Sequence, residues 1–174
     1  MTPDEYRSNY AVQYNHTRWA DHRERVAYTA ALAQRVVELN NYRRVADLSA
    51  GDRAIVNALA GVEVTASDWT DGVDIMKSVV ELEPVDLFIC TETVEHLEAP
   101  WTLLEHIAPR TKCLLLSTPM DESADAGNWE HYWSFTVEDV FTLLRQAGFI
   151  RMTVDVMRPN AGGPYVHQIW TAYT

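Results

Sequence analysis

Cysteine is almost missing from this chain of 174 residues, which has only Cys90 and Cys113. Both fall in apolar runs that read as buried strands, so neither a disulfide framework nor a thiolate metal site is expected, and a reducing cytoplasm suits them. Long hydrophobic stretches are missing too. None approaches the roughly 20 residues needed to span a bilayer, and the N-terminal MTPDEYRSNY has no signal-peptide apolar region. Basic residues are few, 14 Lys and Arg against 25 Asp and Glu, for a net charge of −11. That balance disfavours nucleic acid and anionic membrane surfaces as partners; the arginines of the first quarter (Arg18, Arg23, Arg25, Arg35, Arg43 and Arg44) read as a solvated helix face. There is no Walker Gly-Lys-Ser/Thr, no Gly-x-Ser-x-Gly elbow and no Pro-Cys nucleophile pair. P-loop, α/β-hydrolase and covalent cytosine chemistry are therefore excluded.

What is present is a chain with 47% apolar residues, enough for one domain spanning 1–174 with its own core. Val26, Ala30, Ala33 and Val37 recur at helical spacing over 21–39, and Asn40-Asn41 ends the run. Residues 43–49 read as a short strand, 52–59 as a short helix, and 62–67 alternate as a strand. Between Asp68 and Val85 the spacing predicts one short strand, Val73 to Met76, and no full helix. From Val85 to Pro119 the pattern is strand, helix-like segment (Val94, Leu97, Leu103, Leu104, Ile107) and strand, a unit whose two strands lie parallel. A long acidic, Trp-bearing loop follows, then a helix opened by the capping-box pair Thr136 and Asp139 and stopped at Gly148. Residues 149–157 and 165–173 flank a Pro-Asn-Ala-Gly-Gly-Pro turn as an antiparallel pair. The order predicts an α/β fold: a mostly parallel sheet with an antiparallel C-terminal edge, N-terminal capping helices over 1–41 and a core over 42–174.

In such sheets ligands bind beyond the carboxyl ends of the strands. The first strand ends in Asp47-Leu48-Ser49-Ala50-Gly51-Asp52, a small-residue turn that lets backbone N–H groups approach a ligand. Asp68 stands at the next strand end, where a carboxylate can accept ribose hydroxyls. Thr91 and Glu92 end the following strand. Glu92, Glu95 and His96 have i, i+3, i+4 spacing, which puts them on one face of a helix and makes them a candidate cation site, with His131 as a further ligand from the distant loop. The same carboxylates also suit a helix N-terminus without any metal, and His96 or His131 then becomes the candidate general base.

The wording TETVEHLEAPW, together with the Asp47 turn and Asp68, resembles class I S-adenosylmethionine-dependent methyltransferases over roughly Arg43 to Phe149. Their nucleotide-binding turn reads Asp-x-Gly-x-Gly-x-Gly, which falls on Asp47, Ser49, Gly51 and Arg53. The resemblance implies a Rossmann-like sandwich with S-adenosylmethionine as cofactor: Asp47, Ser49 and Gly51 along the methionine moiety, Asp68 on the ribose, and Thr91 at the strand mouth. SDWTDGVDIMKS resembles the subset with a short Gly-Val-Asp link, which places Ser78 near the adenine and offers Trp69 as a stacking face. Glu92, Glu95, His96 and His131 resemble the set of metal-assisted O-methyltransferases, implying a divalent cation such as Mg. No Asn/Asp-Pro-Pro-Tyr segment follows the strand, as amino-methylating DNA enzymes have.

O-methylation of a small-molecule or carbohydrate acceptor is the expectation. The loop from Met120 to Ser134 would cover that acceptor with Trp129, Tyr132, Trp133 and Phe135. Its acids Asp121, Glu122, Asp125 and Glu130 suggest a neutral or cationic molecule or a sugar. Tyr14, His16, Arg18 and Trp19 would fold over the cofactor, with Arg18 meeting its carboxylate. The alternative is a binding protein that keeps the fold while Ser49 and Arg53 disable the turn.

Overall fold

The apolar runs at Val85 and Cys113 become the two central strands of a six-stranded sheet in the computed structural model, which describes residues 19–122, 130–163 and 165–174. The elements are α1 (Ala20–Asn40), β1 (Arg44–Asp47), α2 (Ala54–Asn57), β2 (Glu63–Ala66), α3 (Ile75–Glu81), β3 (Val85–Thr91), α4 (Pro100–Ile107), β4 (Thr111–Met120), α5 (Val137–Ala147), β5 (Arg151–Met157) and β6 (Val166–Tyr173). The strand order is β2-β1-β3-β4-β6-β5. β1 to β4 pair in parallel; β6 runs antiparallel to both β4 and β5, so the one reversed strand lies a place in from the edge.

The middles of β3 (Leu87 to Cys90) and β4 (Cys113 to Leu116) are apolar because both of their faces are covered. Leu87, Ile89, Cys113 and Leu115 pack under Val26, Ala33 and Val37 of α1. Their neighbours Phe88, Cys90, Leu114 and Leu116 point the other way, against Leu104 of α4 and Leu144 of α5. The period of two along each strand thus divides one sheet between two cores. α1 ends at Asn41, in a left-handed cap whose N–H returns to Glu38 O and Val37 O. α5 begins with the capping box expected of Thr136 and Asp139 and ends at Gly148 with φ 110°.

Two expectations fail. The segment after Asp68 holds no strand at Val73 to Met76: a 3₁₀ turn over Trp69–Asp71 leads through Gly72 (φ 84°) into α3, capped by the Asp74 carboxylate on Met76 N. The 3₁₀ turn consumes few residues, which leaves room for the helix. Nor is the segment after β3 one helix. A single 3₁₀ turn, Val94–His96, is separated from α4 because Pro100 opens α4 at its first position and keeps Ala99 out of helical geometry.

Candidate functional site

A cavity of about 430 Å³ opens at the carboxyl ends of β1, β3 and β4. One half is built by the turn after β1. Asp47 is buried beneath it and accepts from Ser49 N at 3.0 Å, while Ala50 N and Ser67 N exchange bonds with Ser67 O and Asp47 O, tying the turn to the chain after β2. Gly51 (φ 53°) and Arg53 (φ 62°) are left-handed; Ser49 is not. Of the two substituted glycine positions, then, only Arg53 carries backbone strain, and its guanidinium reaches Asp71 at 3.2 Å. Burial raises the Asp47 carboxyl to about 7, against the bond from Ser49 N that lowers it. Asp47 therefore orders the turn from below and is not among the cavity-lining residues.

Asp68 lies where the spacing placed it. Its Oδ2 accepts from Gly51 N at 2.9 Å and its Oδ1 from Thr70 N and Thr70 Oγ1 at 2.9 and 2.8 Å. A carboxylate has about four lone-pair directions, so one is left for a ligand hydroxyl, and a second hydroxyl would have to displace Thr70 Oγ1. Ser49, Gly51, Trp69 and Thr91 line the cavity. Ser78 does not. It follows Asp74 by a helical turn on α3, and the carboxylate that reaches the cavity is Asp74.

The other half gathers around β3 and β4. Glu92 takes a left-handed backbone (φ 50°), its N–H donating to Ser117 O at 2.9 Å. Its Oε1 accepts from Ser117 Oγ at 2.8 Å, and its Oε2 lies 3.2 Å from His167 Nδ1. Burial would raise this carboxyl, but Arg25, His167 and Ser117 outweigh it and hold Glu92 well below the usual range. Glu95 is the opposite case. It is buried, with Oε2 taking a hydrogen bond from Thr118 Oγ1 at 3.1 Å and Oε1 taking none, and burial together with the Glu92 charge pushes it far up. Two carboxylates three residues apart thus prefer different protonation states.

His96 Nδ1 lies 3.1 Å from Glu130 O, an arrangement that protonates Nδ1 and frees Nε2; burial and then His131 lower its pKa. The His131 ring meets it edge to face at 4.6 Å between centroids, and its Nδ1 is held by the Glu122 carboxylate. Ligand atoms of Glu95, His96 and His131 lie within 4.8 Å of one another. Glu92 is not in that group, which corrects the four-residue set: with a left-handed Glu92 before a single 3₁₀ turn, the three residues no longer share a helix face.

In the loop, Tyr132 lines the cavity, whereas Trp133 donates to Leu97 O and stacks on buried Phe135. Trp129, Asp125, Tyr14, His16 and Arg18 lie outside the described residues. Sequence reading missed His22, Tyr165 and His167 and gave Glu122 no role beyond the loop's charge; Arg25, read as part of a solvated helix face, is instead buried at 1% exposure. Only Arg25 left a signal, a polar residue in the same helical stripe as Thr29 and Ala33, all three buried.

No known family's sequence profile matches this chain, and no curated protein does either. Solved structures do match in fold. The N-terminal domain of EvdMO1 with S-adenosylhomocysteine bound superposes with a TM-score of 0.62 at 17% identity, over 83% of this chain and 80% of that one. Magnesium protoporphyrin IX methyltransferase (ChlM) from Synechocystis PCC 6803, also with S-adenosylhomocysteine, gives 0.67 at 15% identity, over 98% and 94%. A SAM-dependent methyltransferase from Archaeoglobus fulgidus gives 0.61 at 15%, over 82% and 94%. The chain therefore has the Rossmann-like fold of class I S-adenosylmethionine-dependent methyltransferases.

Proposed function

We propose that this protein is an S-adenosylmethionine-dependent methyltransferase acting on the oxygen of a small-molecule or carbohydrate acceptor. The observation that carries the reading is the Asp68 carboxylate, docked on the left-handed Gly51 turn with one lone-pair direction open, at the strand end where this fold takes the ribose. The residues present fit the cofactor. Ser49 and Gly51 face the cavity, Trp69 offers a ring to the adenine, and Asp74 stands beyond it. When bound, the cofactor supplies an electrophilic sulfonium methyl group.

The chain's own part is positioning and proton handling. Thr91 and the Glu92 backbone bound the cavity beside the turn, so an acceptor held there lies in line with the cofactor half, and proximity supplies much of the rate. Glu122 holds His131 by Nδ1 and so orients its ring, with His131 as the base for the acceptor hydroxyl proton. His96, held by Glu130 O and with its pKa lowered by burial, presents a second imidazole. Neutral Glu95 adds a buried carboxyl without a second negative charge.

One observation favours a second reading, in which a divalent cation joins Glu95, His96 and His131: their ligand atoms converge, and the Glu122 bond to His131 is the outer support that metal-binding imidazoles use. A cation there would act as a Lewis acid on the acceptor oxygen.

The test is methyl transfer from labelled S-adenosylmethionine to a panel of phenols, sugars and hydroxy acids. His131→Ala should abolish transfer while leaving S-adenosylhomocysteine affinity intact; a parallel loss of both would make the loop a cofactor cover. Mn²⁺ should leave the melting temperature unchanged. A rise that Glu95→Ala removes would establish the cation reading instead.

A further inference from the structure

The guanidinium of Arg25 lowers the Glu92 carboxyl, yet two of its donor nitrogens stay open. It projects from the second turn of α1, is 1% exposed, lines the cavity, and has no hydrogen-bond partner at Nε or Nη1. Arginine is always charged, and burying it with open N–H groups is among the most costly arrangements a fold can keep. The cost is recovered when an anion arrives to accept from those groups. We infer that Arg25 is the seat of a carboxylate on the methyl acceptor, so that the substrate is a small carboxylic acid bearing the hydroxyl to be methylated. This deepens the proposed function and rests on it.

Three observations select acceptor over cofactor and carboxylate over other anions. Arg25 stands on the cavity wall with His22, Glu92 and Glu95, and its charge lowers both carboxyls. Glu92 is already engaged by Ser117 Oγ and lies beside His167, so it does not close the open Nε and Nη1 positions. And with Glu92 ionised nearby the pair is already neutral, so a monoanion meets less repulsion there than a doubly charged phosphate would. Glu122, one of the acids that suggested a cationic acceptor, is held by His131 and turned from that task. Tyr132 and Tyr165 line the same half and offer ring faces to the body of the acid.

The probes are benzoate and benzamide, alike in shape and different in charge, titrated into protein saturated with S-adenosylhomocysteine and followed by ligand-observed NMR. The parent should prefer benzoate by about ten-fold, the order of one charge-assisted contact. Arg25→Gln should erase the preference and leave S-adenosylhomocysteine affinity within about two-fold. If that variant does not fold, Arg25→Lys keeps the charge but not the planar donors, and should reduce the preference without removing it. A parent that binds the two probes equally, or a preference that survives both substitutions, overturns the assignment. So does weaker S-adenosylhomocysteine binding in Arg25→Gln with methylthioadenosine unaffected, since that places Arg25 on the cofactor's own carboxylate. A parent that binds no S-adenosylhomocysteine defeats the methyltransferase reading instead, and the benzoate preference of the unliganded protein still decides the role of Arg25.

Discussion

Asp47 is a buried acid whose pKa stands at about 7 against an ordinary 3.8, with burial as the main cause. Its folded pKa is raised, so the folded chain holds a proton that the unfolded chain releases first. Stability from this group is fullest below pH 4, declines as pH rises toward 7 and is level above. Asp47→Asn keeps an oxygen for Ser49 N and removes the ionisation. Denaturant titrations at pH 5 and 7.5 should show a smaller fall in the variant, by about 2.5 kcal/mol. An identical fall in both proteins would show that Asp47 does not titrate there. Arg53 marks the same turn differently. Arg53→Gly relieves a left-handed φ of 62° and gives up the contact with Asp71. The variant should gain about 0.5–1 kcal/mol if strain dominates, and a net loss would give the ion pair the larger share.

At the scale of elements, the capping box of α5 supplies a clean test. Thr136 Oγ1 accepts from Asp139 N at 3.1 Å, and the Asp139 carboxylate accepts from Thr136 N at 2.9 Å. Thr136→Ala should cost about 1 kcal/mol, read from the denaturation midpoint, without touching ligand affinity. An unchanged midpoint would make the box ornamental. This element was legible in the sequence because its signals are local: a Thr-x-x-Asp start, an apolar stripe and a Gly stop. The parallel strands β3 and β4 were legible from their apolar runs for the same reason. The helix α3 was not, since a 3₁₀ turn of three residues has no periodicity to read and Asp74 looked like part of a linker. Glu92, Glu95 and His96 looked like one helix face because i, i+3, i+4 spacing presumes a helix that Pro100 prevents. Asp68 and the Gly51 turn could be placed from strand ends, whereas Arg25, His167 and Glu122 converge only through the tertiary fold, from α1, β6 and the loop after β4.

The whole molecule is a sheet whose two cores leave one end of its strands open, and α1 and the β5–β6 turn close one side of that opening. Glu24 of α1 accepts from Asn160 N and Ala161 N at 2.6 and 3.0 Å, and Gly163 sits so close to Asp21 that a Cβ would fall 2.4 Å from its carboxylate. No helix among the described residues is long and apolar enough to cross a membrane. Binding of S-adenosylmethionine at the open end, despite Ser49 and Arg53 in the turn, can be read from one calorimetric comparison. S-Adenosylhomocysteine should bind the parent protein with one-site stoichiometry, and Asp68→Ala, shown to be folded, should weaken it by about 1.5–3 kcal/mol, the order for a hydrogen bond to a charged group. No heat of binding in the parent, or equal affinity in the folded variant, would contradict the account.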